Sequence, residues 1–300
     1  MSSLKEVILS KRPNLSKQSV ATYSSILKNL FEKVFPNEAM DTEKFQDTKK
    51  ILETLKKQEP TSRKTTLSAL LIVTNNADYR KQMLEDIEEY NKQQHKQEAN
   101  SKQSESWVEG EEIRKLLTAL EKEAKLLYKK ETLTVADLQH IQNYIILCLL
   151  GGVYIPPRRS KDFVEFKIKN INKNTDNYLQ KDKLIFNSYK TAKTYGQQIV
   201  EIPKTLLSIL KKWFKVNPTD YLLFDSNKNQ LSNVKLNQRL NKLFGDKKIS
   251  VNQLRHTFLS DKYQDSIKLH EDMAKDMQQM GSSTIQEKVY IKKKPRSIEV

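Results

Sequence analysis

One segment constrains this chain more than any other. Thr134-Val-Ala-Asp137 has the form of a helix capping box, Leu138 to Leu150 is strongly apolar, and Gly151-Gly152 stops the run. A helix this apolar must be wrapped by other elements, which makes it the central core element of its domain. The lone cysteine, Cys148, falls inside it and reads as an inert buried thiol. A single cysteine excludes a disulfide framework and fits a reducing, intracellular compartment. No apolar run approaches the roughly 18 residues of a membrane span, so no membrane partner is expected. The N-terminal MSSLKEVILSKRPNLS lacks the apolar core and cleavage site of a secretory signal.

The remaining pattern sorts into two domains, as expected for 300 residues. Residues 1–90 read as a small bundle of four short helices. Ser16 caps a segment with Val20, Tyr23, Leu27, Leu30, Phe31 and Val34 on one face, ended by Pro36-Asn37. A second segment runs from about Thr42, a third opens at Pro60-Thr61-Ser62, and a fourth spans Asp78 to about Tyr90. Asn91 to Ser106 has Ala99 as its only apolar residue and reads as an exposed linker or a frayed helix end. Residues 107–300 form the second domain. Helices are expected at Glu109–Leu120 and Leu138–Leu150. Strand-like runs follow within 163–171, 183–189 and 197–202, with turns at Asn174–Asp176 and near Thr194–Gly196. Helical patterns return at Thr205–Lys215, Val234–Phe244, Asn252–Lys262 and Leu269–Met280. The fold class is mostly α with one small antiparallel sheet (α+β).

Charge narrows the partners. Lys+Arg number 53 against 37 Asp+Glu, a formal net charge of +16, which suits a polyanion such as double-stranded DNA. Arginines are few beside the lysines, so the adjacent pair Arg158-Arg159 stands out. Its planar forks hold two phosphate oxygens in a way that lysine does not. Four scattered histidines (His95, His140, His256, His270) have no metal-ligand spacing, and no acidic cluster suits Mg²⁺. The chain is therefore expected to need neither metal nor other cofactor.

Four groups of residues carry the chemistry: Tyr154-Ile-Pro-Pro-Arg158-Arg159-Ser-Lys-Asp162 after the buried helix, Tyr189-Lys190-Thr-Ala-Lys193 between two strands, Asn252-Gln-Leu-Arg255-His256 opening a helix, and Met280-Gly-Ser-Ser283 followed by Tyr290. Each alone is weak, since an arginine near a Pro-Pro turn is commonly a structural ion pair and a turn lysine is commonly solvated. Their order, Arg…Lys…Asn-x-x-Arg-His…Tyr, resembles the tyrosine recombinase (phage integrase) family over nearly the whole chain. That resemblance implies an N-terminal helical domain that binds core DNA (1–90), a linker (91–106) and a catalytic domain with a C-terminal tail (107–300). It further implies that Arg159 and Arg255 hold the phosphate, with Arg158 one register step away, and that Lys190 is the hairpin lysine, with Lys193 as its competitor. Tyr290 matches the nucleophile, and His256 follows Arg255 as the family's second histidine does. Two positions depart from the family pattern, Asn252 and Ser282 standing where it has histidines. The resemblance also implies site-specific recombination of double-stranded DNA by a tetramer on paired sites. The Lys- and Asn-rich composition suggests an AT-rich genome, that of a virus or mobile element, with a nucleus or viral factory as the compartment. A type IB-like topoisomerase and a catalytically inactive DNA binder are the alternatives.

The chemistry fits those residue types. Breaking a phosphodiester without metal needs a nucleophile, cations on the phosphorane and a general acid for the leaving oxygen. Two arginines beside a tyrosine lower its pKa from near 10 and grip the non-bridging oxygens. Losing one transition-state donor costs about 10²–10³ in rate, so Asn252 and Ser282 are expected to slow the enzyme without abolishing it. Ser62-Arg63-Lys64-Thr65, at the start of the third helix, is a further candidate phosphate contact. The basic tail 291–296 reads as a nuclear localisation patch, a phosphate strip or a solvated end.

Overall fold

The structure, a computed structural model, describes residues 3–95, 97–245 and 247–280. The chain divides into two compact units, Met1–Ala99 and Asn100–Val300. No helix among the described residues is long and apolar enough to cross a membrane.

The first unit is helical throughout. Helices α1 (Leu4–Lys11), α2 (Lys17–Val34), α3 (Thr48–Leu55), α4 (Pro60–Thr74) and α5 (Ala77–His95) are joined by short turns, with a 3-10 turn at Thr42–Gln46. Ser16 caps α2 as its sequence dictates, its hydroxyl accepting from the Ser19 amide. Helix α1 is an addition to the four expected helices. It is held by a capping box between Ser3 and Glu6 and buries Ile8. Leu27, Phe45, Ile51, Leu55, Leu67 and Leu70 are fully buried at the centre. Helix α5 runs on through Asn91–His95, inside the stretch expected to be a linker, because Lys, Gln and Glu are good helix formers even without an apolar face. Beyond it, Asn100 and Gln103 exchange capping bonds that start a one-turn helix, α6 (Ser101–Glu105).

In the second unit α8 (Val135–Leu150) is the core element. Its capping box between Thr134 and Asp137 forms as the sequence reads, and Ile141 and every residue from Ile145 to Leu150 are fully buried. Helices α7 (Gly110–Leu127) and α11 (Lys204–Val216) pack on it. The Gln142 amide, buried within α8, bonds both the carbonyl and the amide of Phe224 and so ties that loop to the helix.

Between them lie a short helix, α9 (Ser160–Val164), and strands β1 (Phe166–Lys167), β2 (Asn177–Gln180), β3 (Lys183–Phe186) and β4 (Gln198–Glu201), with a helical turn α10 (Ala192–Tyr195) between β3 and β4. The sheet order is β1-β2-β3-β4. It corrects the expected antiparallel sheet: β2, β3 and β4 pair antiparallel, but β1 pairs parallel to β2. The reason lies in 163–171, which is no continuous strand. Helix α9 takes its first residues, and the two-residue β1 is flanked on its other side by Tyr221. Strand β2 was not among the expected strands. It turns into β3 through Lys181, at φ 57°.

Helix α12 (Asn233–Leu243) follows, and α13 (Val251–Gln279) is one continuous helix where two were expected. Nothing between Lys262 and Leu269 is a Gly or Pro, so the two periodic stretches join.

Candidate functional site

The site is built where α8 ends. Gly152, at φ 76°, turns the chain out of the helix, and Ile155 and Pro157 are buried. The next two residues, Arg158 and Arg159, have opposite fates.

Arg158 is committed to the fold. Its Nε donates to Asp162 Oδ2 at 2.8 Å, its Nη1 donates to Gln198 Oε1 on β4 at 2.8 Å, and its guanidinium lies 4.0 Å from the centre of the Phe186 ring. One side chain thereby links α9, β3 and β4. Arg159 is the N-cap residue of α9, and its side chain makes no hydrogen bond or ion pair among the described residues.

Arg255 completes the group from the first turns of α13. Burial pulls its guanidinium below the usual arginine value, and the charges of Arg159 and Arg158 add to that, while Asp162 opposes them. Asp162 is buried, and desolvation raises its carboxyl above the ordinary range although Arg158, Arg159 and Arg255 all act to lower it. One of its oxygens holds Arg158, and the other, Oδ1, has no partner. Three arginines thus share one carboxylate, which is already paired. The charges of Arg159 and Arg255 oppose each other, and neither is ion-paired among the described residues.

Close backbone contacts place α13 so that Arg255 reaches this point. Thr257 Oγ1 donates to the Val108 carbonyl at 2.8 Å, and a Cβ on Gly152 would lie 2.7 Å from the Phe258 ring, so only glycine admits the helix this close. Asn252 is on the same face as Arg255, its Oδ1 accepting from Arg255 Nη1 at 3.2 Å. His256 is exposed and makes no hydrogen bond among the described residues.

Lys190 and Lys193 lie in the β3–β4 connection, both exposed and without an ion pair among the described residues. That connection is anchored at both ends. Tyr189 Oη donates to the Gly196 carbonyl at 2.6 Å, and the Tyr189 ring faces the Arg158 guanidinium. Asn177, fully buried, donates to the carbonyls of Asp162 and Ser188 and accepts from the amides of Asn187 and Ser188. It ties the lysine loop to the arginine helix. Sequence reasoning missed Asn177 and Gln198, whose only signal is a polar residue opening a short strand. Ser282 and Tyr290 lie outside the described residues.

In the first unit, Arg63 is spent on its own fold. Its Nε and Nη2 bond the buried Asp86 carboxylate, and its Nη1 bonds the Gln58 carbonyl. Lys64 Nζ lies 3.9 Å from the centre of the Tyr90 ring. Ser62 is exposed and Thr65 half-buried on α4.

No known family model and no curated protein matches the chain. Among solved structures it is similar to a lambda integrase dimer bound to a COC′ core site, at 12% identity and a TM-score of 0.43, over 89% of this chain and 72% of that one. It is also similar to a lambda integrase(75-356) dimer bound to a COC′ core site, at 11% identity and a TM-score of 0.44, over 89% of this chain and 90% of that one. What the chain does is therefore read from its own residues.

Proposed function

We propose that the chain is an intracellular DNA strand-transfer enzyme of the tyrosine recombinase type, acting on double-stranded DNA without metal or other cofactor. The observation that carries this reading is the pairing of Arg159 and Arg255, two guanidinium groups beside a carboxylate that Arg158 already occupies. Such a pair accepts a group with several negative oxygens, and a phosphodiester is the one that a chain of net charge +16 meets on nucleic acid.

The reaction follows from these residues. Arg159 and Arg255 hold the two non-bridging oxygens and lower the cost of charge on the phosphorane. Tyr290 Oη gives its proton to solvent water and attacks phosphorus. The Oη–P bond forms, the P–O5′ bond breaks, and Lys190, exposed in the β3–β4 connection, supplies the proton to O5′. The DNA keeps a 3′-phosphotyrosine and a free 5′-hydroxyl. Attack by another 5′-hydroxyl reverses each step and rejoins the strand without ATP. On paired sites, a tetramer of such active sites exchanges strands between duplexes, the action of an integrase or resolvase of a virus or mobile element.

A second reading has its own observation. Asn252 takes the place of an ionisable residue, and its oxygen is held by Arg255, so it carries no proton to or from the phosphate. The chain is then a DNA binder with a retired active site. Covalent trapping separates the two. The chain is incubated with nicked duplexes and denatured in SDS, with Tyr290→Phe alongside. An SDS-stable adduct absent from Tyr290→Phe supports strand transfer, whereas salt-sensitive binding with no adduct supports the retired site. Relaxation of supercoiled plasmid lacking any specific site would point to a type IB-like topoisomerase.

A further inference from the structure

One other charged side chain is left unpartnered. The half-buried side chain of Arg239, on α12, makes no hydrogen bond or ion pair among the described residues, and its Nη1 is shut off from solvent. The carboxylate whose field reaches it, Asp225, is already saturated. Its Oδ1 accepts the amides of Asn227 and Asn229 at 2.9 and 3.0 Å, and its Oδ2 accepts Lys235 Nζ at 2.7 Å. Burial pulls the Arg239 guanidinium down to about 10, Asp225 opposing the fall. A buried donor of this kind is costly to leave unmade, and native proteins keep few of them.

The surroundings are open and rich in donors. A cavity of about 310 Å³ lies between α8 and α12, with His140 and Asn143 opposite Arg239 and Lys242. A second, of about 640 Å³, reaches from Arg239 past Asp225 to Asn241. The Oδ1 atoms of Asn143 and Asn241 are buried without partners as well. Asn143 lines the smaller cavity and Asn241 the larger, while Arg239 and Lys242 line both. An amide turns its NH₂ to an acceptor by a simple flip, so Asn143 can donate to a guest held by Arg239 and Lys242 in the smaller cavity. With Asp225 neutralised by Lys235, the charges left facing these cavities are cationic.

We propose that Arg239, Lys242 and the Asn143 amide form an oxyanion site, in the smaller cavity, that takes a phosphate group and shares no residue with the Arg159–Arg255 pair. A forked guanidinium with nothing to hold, beside a lysine and an amide, matches several oxygens on one centre. A backbone phosphate of DNA and a free phosphate ion carry the same chemistry, and the test distinguishes them.

Inorganic phosphate is titrated calorimetrically into the full chain carrying Arg159→Gln and Arg255→Gln, so that the other anion site is silent. The same background then receives Arg239→Met or, separately, Lys242→Gln. Phosphate binding weakened at least tenfold by Arg239→Met and several-fold by Lys242→Gln establishes the site with a free ligand. If free phosphate does not bind, duplex DNA is titrated against salt with Arg159 and Arg255 intact. A log–log slope reduced by about one unit in each variant establishes the site with a backbone phosphate. Folded variants that alter neither quantity overturn the proposal. Lys242 is exposed on α12, so Lys242→Gln decides the question if Arg239→Met does not fold. This proposal rests on no duplex binding: a chain that binds free phosphate through Arg239 and Lys242 but binds no duplex refutes the strand-transfer reading and leaves this one standing, whereas a chain that binds neither overturns both.

Discussion

Arg158 and Arg159 are neighbours in sequence with opposite duties, and replacing each by methionine separates folding from binding. Arg158 is 17% exposed and its partner Asp162 2% exposed, the two joined at 2.8 Å. Removing one member of a buried pair leaves the other uncompensated, at a cost of about 3–5 kcal/mol. The methionine retains the apolar body against Phe186, so loss of packing adds little. For a unit of this size each kcal/mol moves the midpoint by about 2–4 °C, so Arg158→Met is expected to lower it by roughly 6–20 °C. Acid softens the loss. The Asp162 carboxyl already titrates above its ordinary range, and without Arg158 it rises further. A carboxyl raised in the folded state binds its proton more readily there, so stability is gained as pH falls through that raised value and lost as pH climbs. The deficit of Arg158→Met is therefore smaller at pH 5 than at pH 7. Arg159→Met removes a cation that has no partner and repels Arg255, so its midpoint is expected to stay or rise while duplex binding weakens. Thermal unfolding by circular dichroism at both pH values, with a duplex titration, reads all of this. Full stability in Arg158→Met with binding lost, beside undisturbed binding in Arg159→Met, would show that the two roles had been exchanged.

The core of the second unit offers three more tests. Burial pushes the Cys148 thiol up to about 12, so the native chain is expected to resist iodoacetamide at pH 8 and to react once in denaturant, as mass spectrometry would show. Asp137, held down to about 2 by Lys130 and Thr134, contributes stability that disappears as pH falls from the ordinary carboxylate range towards 2. Asp137→Asn should therefore flatten the acid limb of the stability curve measured by urea unfolding. Gly152→Ala meets the Phe258 ring at a φ of 76° and is expected to destabilise by about 1–3 kcal/mol. Gly152→Ala combined with Phe258→Ala should cost less than the two single changes added together.

The helices were legible because their signals are local. Ser16, the Thr134–Asp137 box and Gly151-Gly152 each act within a few residues of the ends they define, and the structure places caps and stops there. The sheet was less so. Residues 163–171 alternate like a strand, but where that strand begins depends on Tyr221 lying alongside β1, a pairing far along the sequence. The arginines stood out because the chain uses so few. Their division of labour could not be read, since it depends on Gln198 and Phe186, far along the sequence. The same holds for Arg63, whose phosphate-contact pattern conceals a buried ion pair with Asp86. Arg239 lies in an ordinary amphipathic helix, and only burial distinguishes it.

If Arg159 and Arg255 act as one clamp on a phosphate that Tyr290 attacks, their losses must be coupled. The decisive quantity is the single-turnover rate of covalent adduct formation on a nicked duplex, for the wild type, Arg159→Met, Arg255→Met and the two combined. Each single change is expected to slow the step by about 10²–10³. The double variant is expected to fall well short of the product of the two losses, because a half-made clamp has already lost its geometry. An adduct forming at the wild-type rate with either arginine replaced, or losses that simply multiply, would show that no such clamp exists.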